Sequence, residues 1–263
     1  MKLFSIFGNP VSHSISPKMH NITINDLNLD ACYIRTRIED PSTLMDTFHA
    51  IKLDGANVTV PHKEVALYQS DAVDSFASMI GAVNTLVKKG DKVIGYNTDA
   101  PGFYKAIESF GKINNALILG AGGTAKAIAT ILRDKNIHPT ILNRSKNRID
   151  FFLNNDFEAY DWESFDIAKF DLIINTTSAG LSDETLPLQE SMLSALMKNA
   201  KFAFDVIYNK PTPFLQLAHK NNLTCKDGAD MLLYQGVLAF NLFYDNKFNL
   251  TQIETSMKKA FKL

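Results

Sequence analysis

Residues 115–132 read NALILGAGGTAKAIATIL. NALIL is an apolar run of strand length, Gly120-Ala121-Gly122-Gly123-Thr124-Ala125 follows, and AKAIATIL has helix-forming composition. A GxGxxA loop in a strand–turn–helix context predicts a dinucleotide site. The first glycine permits a tight turn, the second lets backbone N–H groups approach a pyrophosphate, and small Ala125 lets helix and strand pack closely. A plain glycine turn would read the same way, so the loop alone does not decide the ligand.

The next strand, PTILNR (139–144), ends roughly 20 residues further on, where an NAD-binding unit places an acid on the ribose hydroxyl. None is present. The chain offers Asn143, Arg144, Ser145 and Arg148 instead. Guanidinium forks suit a phosphate that an acid would repel, so the cofactor expected is NADP, with Asn143 and Ser145 as supporting hydrogen-bond partners.

Working outward, DLIINTT (171–177) and KFAFDVIY (201–208) continue the alternation of strands and helical stretches, which predicts a Rossmann-type doubly wound unit. Upstream, LFSIFG (3–8), a helical segment from about Ser16, CYIRTRI (32–38) and GANVTV (55–60) give a β-α-β-α-β order and hence a second, mostly parallel sheet. AVNTLVKKGDKVIGYN (82–97) reads as a hairpin and is expected to form that sheet's antiparallel edge. The fold class expected is therefore α/β with two domains: an N-terminal substrate domain, 1–101, completed by C-terminal helices in 230–263, and an NADP domain at 102–229.

Composition excludes other classes. The 263-residue chain is 46% hydrophobic and 21% charged, with no apolar run long enough for a membrane span. A formal net charge of −1 argues against nucleic acid. Cys32 and Cys225 stand alone, and the histidines form no ligand spacing, so no metal is expected. The N-terminal apolar run is too short for a signal peptide, and a cytoplasmic location is expected.

In the first domain, polar residues gather at the C-terminal ends of the strands, where open α/β sheets bind ligands. Asn57 and Thr59 lie two apart in one strand with Lys63 just beyond it, Asn84 and Thr85 begin the hairpin, and Asn97, Thr98 and Asp99 end it. GNPVSHSISP (8–17) adds Ser14 and Ser16, whose spacing in an extended loop aims both hydroxyls at one anion. Ser16 is also placed to cap the helix that Pro17 opens. No GxSxG elbow is present, and His13 beside Ser14 does not make a nucleophile–base pair. Gln235 interrupts the apolar run MLLYQGVLAF and needs a hydrogen-bond partner.

The ordered set GNPVSHSISP, NVTVPHK, GAVNT, GYNTDAPGF, GAGGTAKA, NRSKNR, NTTSAG, DVIY and GADMLLYQ resembles the shikimate dehydrogenase family from end to end. The resemblance implies an NADP-dependent oxidoreductase that interconverts 3-dehydroshikimate and shikimate in aromatic amino-acid biosynthesis. It implies Lys63 and Asp99 as the catalytic pair, Ser14 and Ser16 on the substrate carboxylate with Tyr208 near it, and Asn57, Thr59, Asn84 and Gln235 along the ring hydroxyls. It also implies Gly120, Ala121, Gly122, Gly123, Thr124, Ala125, Asn143, Arg144, Ser145, Arg148 and Gly228 at the cofactor. The partners expected are small molecules, with the chain as a monomer or homodimer. Two alternatives stay open: relaxed specificity that admits quinate or NAD, and a non-catalytic NADP-binding protein, against which intact Lys63 and Asp99 argue.

Overall fold

The computed structural model describes residues 1–261. The chain divides into two compact units, one of residues 1–102 and 233–263 and the other of residues 103–232. Lys262 and Leu263, the end of the helical segment expected at 230–263, lie outside the described residues.

The first unit is built on β1 (Lys2–Gly8), α1 (Ser16–Asp26), β2 (Ala31–Arg37), α2 (Leu44–Ala50), β3 (Gly55–Val58), α3 (Lys63–Gln69), β4 (Ala72–Val73), α4 (Ser75–Ile80), β5 (Thr85–Lys89) and β6 (Lys92–Tyr96). Helix α5 (Asp99–Ile107) begins in this unit. Its sheet has the order β2-β1-β3-β5-β6-β4. β1 pairs parallel with β2 and β3, whereas β5 runs antiparallel to both β3 and β6. The hairpin is therefore internal. The edge beyond it is β4, parallel to β6, which two residues of sequence do not announce. Phe7, Leu44, Phe48, Leu53, Val58 and Leu86 fill one side of the sheet.

The second unit contains β7 (Asn115–Leu119), α6 (Gly123–Asp134), β8 (His138–Asn143), α7 (Asp150–Leu153), β9 (Glu158–Asp161), β10 (Leu172–Asn175), α8 (Glu190–Met197), β11 (Phe202–Asp205), α9 (Pro213–Lys220) and β12 (Thr224–Lys226). Every pairing in its sheet is parallel, in the order β12-β11-β10-β7-β8-β9. Chain order reverses between β7 and β10, the switch point at which doubly wound sheets bind ligands. Leu117, Ile173, Leu193 and Phe214 belong to its core.

Helix α10 (Ala229–Phe243) returns the chain to the first unit, which α11 (Leu250–Lys258) closes by packing on α1. No helix of the described residues is long and apolar enough to cross a membrane. None of their His, Cys, Asp and Glu side chains form a group able to hold a metal.

Candidate functional site

Lys63 and Asp99 are the first residues of α3 and α5, and two loops bring these helix starts together. Asn97 Oδ1 accepts from Ala100 N in the first turn of α5, while its Nδ2 donates to the Ala82 carbonyl. The Lys63 carbonyl accepts from Val83 N at 2.9 Å, and the His62 ring bonds the Ile38 carbonyl through Nε2 at 2.8 Å. With both backbones fixed, Lys63 Nζ donates to Asp99 Oδ2 at 2.6 Å, and the two side chains are only 13% and 10% exposed. An ammonium held by a carboxylate in a largely dehydrated place has its direction set before any ligand arrives.

Behind this pair lies a buried polar network. Asn84 Oδ1 accepts from Thr98 N at 2.7 Å and from Thr85 Oγ1 at 3.0 Å, and Asn84 Nδ2 donates to Thr98 Oγ1 at 3.0 Å. Asn57 Nδ2 donates to Thr85 Oγ1 at 3.1 Å, and Asn57 Oδ1 accepts from Tyr33 Oη at 2.7 Å. Such interlocked buried amides and hydroxyls hold one geometry, because any rotation leaves a partner unsatisfied. Thr59 lies just past the end of β3, with its N–H on the Phe7 carbonyl. A Cβ on Gly8 would meet the Thr59 methyl at 2.4 Å, so only glycine leaves that side chain in place.

Ser14 and Ser16 are both buried, and Ser14 Oγ donates to Ser16 Oγ at 3.2 Å. The pairing does not come from an extended loop: Ile15 between them has φ −91° and ψ −1°, so a turn brings the hydroxyls side by side. Ile15 also occupies the N-cap of α1 and Ser16 is already helical, with no side-chain cap, which corrects the expectation that Ser16 caps the helix. Gln235 is buried on α10. A Cβ on Gly102 would meet the Gln235 backbone nitrogen at 2.7 Å, so that glycine lets α10 approach the helix carrying Asp99.

In the second unit, Gly120 has φ +112°, Gly122 is the N-cap of α6, and Ala125, in the first turn of α6, is fully buried. A Cβ on Gly122 would meet no atom within 4 Å, so the loop presents bare backbone beside the N-terminus of a 12-residue helix. That open cradle suits a pyrophosphate. Ala121 lies in the turn, and Gly123 and Thr124 are the first residues of α6. At the end of β8, Asn143 Nδ2 donates to the Ser145 carbonyl at 3.0 Å, and this turn sets out Arg144 and Arg148, both exposed. Neither is in an ion pair among the described residues, so both forks are free for a phosphate. The donor set fits NADP.

The loop after β11 carries half-buried Tyr208, whose hydroxyl is pushed up by burial. Asp205 fastens that loop by accepting from Thr212 Oγ1 at 2.6 Å, Ile207 N at 3.0 Å and Asn175 Nδ2 at 3.1 Å. A Cβ on Gly228 would meet the Val206 carbonyl oxygen at 2.2 Å, so Gly228 serves close backbone packing in this unit. Tyr33 and Arg35 escaped sequence reasoning. The signal was the alternation in CYIRTR, which puts Tyr33, Arg35 and Arg37 on one face of β2.

The sequence pattern described as "Shikimate dehydrogenase substrate binding domain" matches residues 6–86. A shikimate dehydrogenase (NADP(+)) of Helicobacter hepaticus is 45% identical over 98% of this chain and 97% of its own length. One from Helicobacter pylori is 41% identical over 100% of this chain and 97% of its own. Among solved structures, the Thermus thermophilus shikimate 5-dehydrogenase in complex with NADP(H) and shikimate superposes with a TM-score of 0.84 at 32% identity, covering 99% of this chain and 100% of that one.

Proposed function

The chain belongs to the shikimate dehydrogenase family, and on that premise we propose how its own residues reduce 3-dehydroshikimate to shikimate with NADP. The observation that carries the reading is the Lys63–Asp99 pair, 2.6 Å apart at two helix starts and backed by the Asn57, Asn84, Thr85 and Thr98 network. The first unit binds the substrate. Ser14 and Ser16 donate to its carboxylate, and Asn57, Thr59, Asn84 and Gln235 serve the ring hydroxyls. In the second unit, the 120–125 loop receives the pyrophosphate, Asn143, Arg144, Ser145 and Arg148 take the 2′-phosphate, and Gly228 is a further cofactor-binding residue.

Bound NADPH supplies the hydride. As negative charge grows on the ketone oxygen, the Lys63 ammonium neutralises it and donates the proton that completes the alcohol. Asp99 keeps Nζ aimed at that oxygen. In the reverse direction Lys63 takes the hydroxyl proton. We assign the activity to the cytoplasm, a reading supported by the two free thiols, Cys32 and Cys225.

The test follows nicotinamide absorbance with the purified chain, offering shikimate and quinate with NADP and with NAD. Turnover of shikimate with NADP is expected. Its absence sinks the reading, and faster turnover of quinate, or of shikimate with NAD, reassigns the specificity.

A further inference from the structure

Strand β2 lies at the edge of its sheet, and one of its faces carries Tyr33, Arg35 and Arg37 in alternation. Each side chain reaches out of the strand to hold part of the site. Tyr33 holds Asn57, as described. Arg37 Nε donates to Asn9 Oδ1 at 3.0 Å, where the loop that leads to Ser14 begins. Arg35 donates from Nη2 at 2.6 Å and from Nε at 3.1 Å to a single acceptor, the carbonyl oxygen of Ser14.

That choice of atom has two chemical consequences. Two charge-assisted hydrogen bonds hold the peptide plane between Ser14 and Ile15, the first link of the turn that brings the Ser14 and Ser16 hydroxyls together. The fork also sets a full positive charge one residue from a pair of neutral donors. Arg37 spends part of its charge on Glu39 at 3.4 Å, whereas Arg35 is in no ion pair among the described residues. Two buried hydroxyls alone would grip a neutral carboxamide nearly as well as a carboxylate. An uncompensated guanidinium bound to their own backbone breaks that tie.

We propose that Arg35 is a positioning residue for substrate recognition, acting through Ser14, and that its charge gives this subsite its preference for a carboxylate over a neutral group. This rests on the assignment of Ser14 and Ser16 to the substrate carboxylate.

The test compares wild type, Arg35→Gln and Arg35→Lys with shikimate and with its neutral methyl ester, at low and high salt. Arg35→Gln is expected to raise the KM for shikimate about tenfold, the usual worth of a charged hydrogen bond, with a smaller change in kcat and in the KM for the ester. It should also flatten the rise of the shikimate KM with salt. Arg35→Lys keeps the charge and loses the fork, so it should retain the salt dependence and recover part of the affinity. An unchanged shikimate KM in Arg35→Gln, or equal losses for acid and ester, overturns the proposal. If that variant does not fold, a shikimate KM in Arg35→Lys equal to wild type overturns it.

Thermal stabilisation by shikimate without NADP separates this inference from the dehydrogenase reading. If wild type turns nothing over, that reading fails, and a shikimate-induced Tm shift lost in Arg35→Gln still upholds Arg35. If shikimate stabilises neither protein, Arg35 falls too.

Discussion

The strand ends of the first unit and the glycine loop of the second solve recognition in opposite ways. Asn57, Asn84, Thr85 and Thr98 are buried and hold one another, so the groups around Lys63 and Asp99 are set in place with no ligand present. The second unit offers bare backbone at Gly122 and exposed, unpaired arginines at 144 and 148. A small hydroxylated ring is recognised by short side chains in fixed positions, because a displaced donor leaves a buried group unpaired. A phosphate is recognised by charge and by backbone N–H groups, which tolerate movement. Substitutions on the first side should therefore abolish chemistry, whereas those on the second should shift preference.

The largest effect is expected at Lys63. Lys63→Ala removes the proton donor and leaves the Asp99 carboxylate without its cation, and kcat should fall about 10²- to 10⁴-fold, the usual worth of a positioned acid–base group. The KM for NADP should move little. Steady-state kinetics in both directions check this. A kcat within a few fold of wild type would remove Lys63 from the mechanism.

Arg144→Gln tests the other side. Its exposed fork has no protein partner to lose, so the fold should be unaffected and the KM for NADP should rise about tenfold to a hundredfold. The KM for NAD should stay nearly constant. Equal losses with both cofactors would show that the arginine shapes the loop instead of reading a phosphate.

The same contrast governs what the sequence disclosed. NALIL, PTILN and LIIN were legible as strands because both faces of a parallel sheet are buried and the runs are mostly apolar. β4, β9 and β12 were not, since edge strands of two to four half-exposed residues carry no apolar signature. In the site, Lys63, Asp99, Ser14 and Ser16 stand in quotable motifs. Tyr33 and Arg35 come from a strand far away in sequence and act through hydrogen bonds to Asn57 and to the Ser14 backbone, which no motif encodes.

Buried titratable groups extend the comparison. Asp205, in the core of the second unit, has three hydrogen-bond donors. His20, in the first, has no hydrogen-bond partner at either ring nitrogen, stacks on Tyr33 and lies among Phe240 and Phe243. Burial pushes its pKa from 6.5 down to about 3. Below pH 6.5 the unfolded chain takes up a proton that the folded one refuses, so stability falls with pH from there toward about 3, by at most about 1.4 kcal/mol per unit. Asp205 has the opposite sign: burial raises its carboxyl, so acid relieves a cost. Between pH 6.5 and 5, before carboxylates titrate, hydrogen-exchange protection, taken relative to the intrinsic rate at each pH, should fall in α1 and β2 and not in β10 and β11. His20→Leu should abolish the difference, and persistence of the acid response in that variant would exonerate His20.

The smallest effect separates two glycines with positive φ, one in each unit. Gly120 has φ +112°, and a Cβ there would meet Thr176 Oγ1 at 2.6 Å. Thr176 cannot swing away, because both its hydroxyl and its N–H are bonded to the Leu119 carbonyl, at 2.7 and 2.9 Å. Gly90, in the β5–β6 turn, has φ +60° and nothing within 4 Å. Alanine at Gly90 meets only the left-handed backbone cost, about 1–2 kcal/mol, and asparagine less, since its side chain tolerates that region. Gly90→Asn should thus leave kcat and both KM values unchanged with a small drop in Tm, whereas Gly120→Ala should lose NADP affinity beyond any loss of stability. If denaturation and kinetics found the two sites equally sensitive, Gly120 would be a matter of backbone conformation alone, and its close approach to Thr176 would explain nothing.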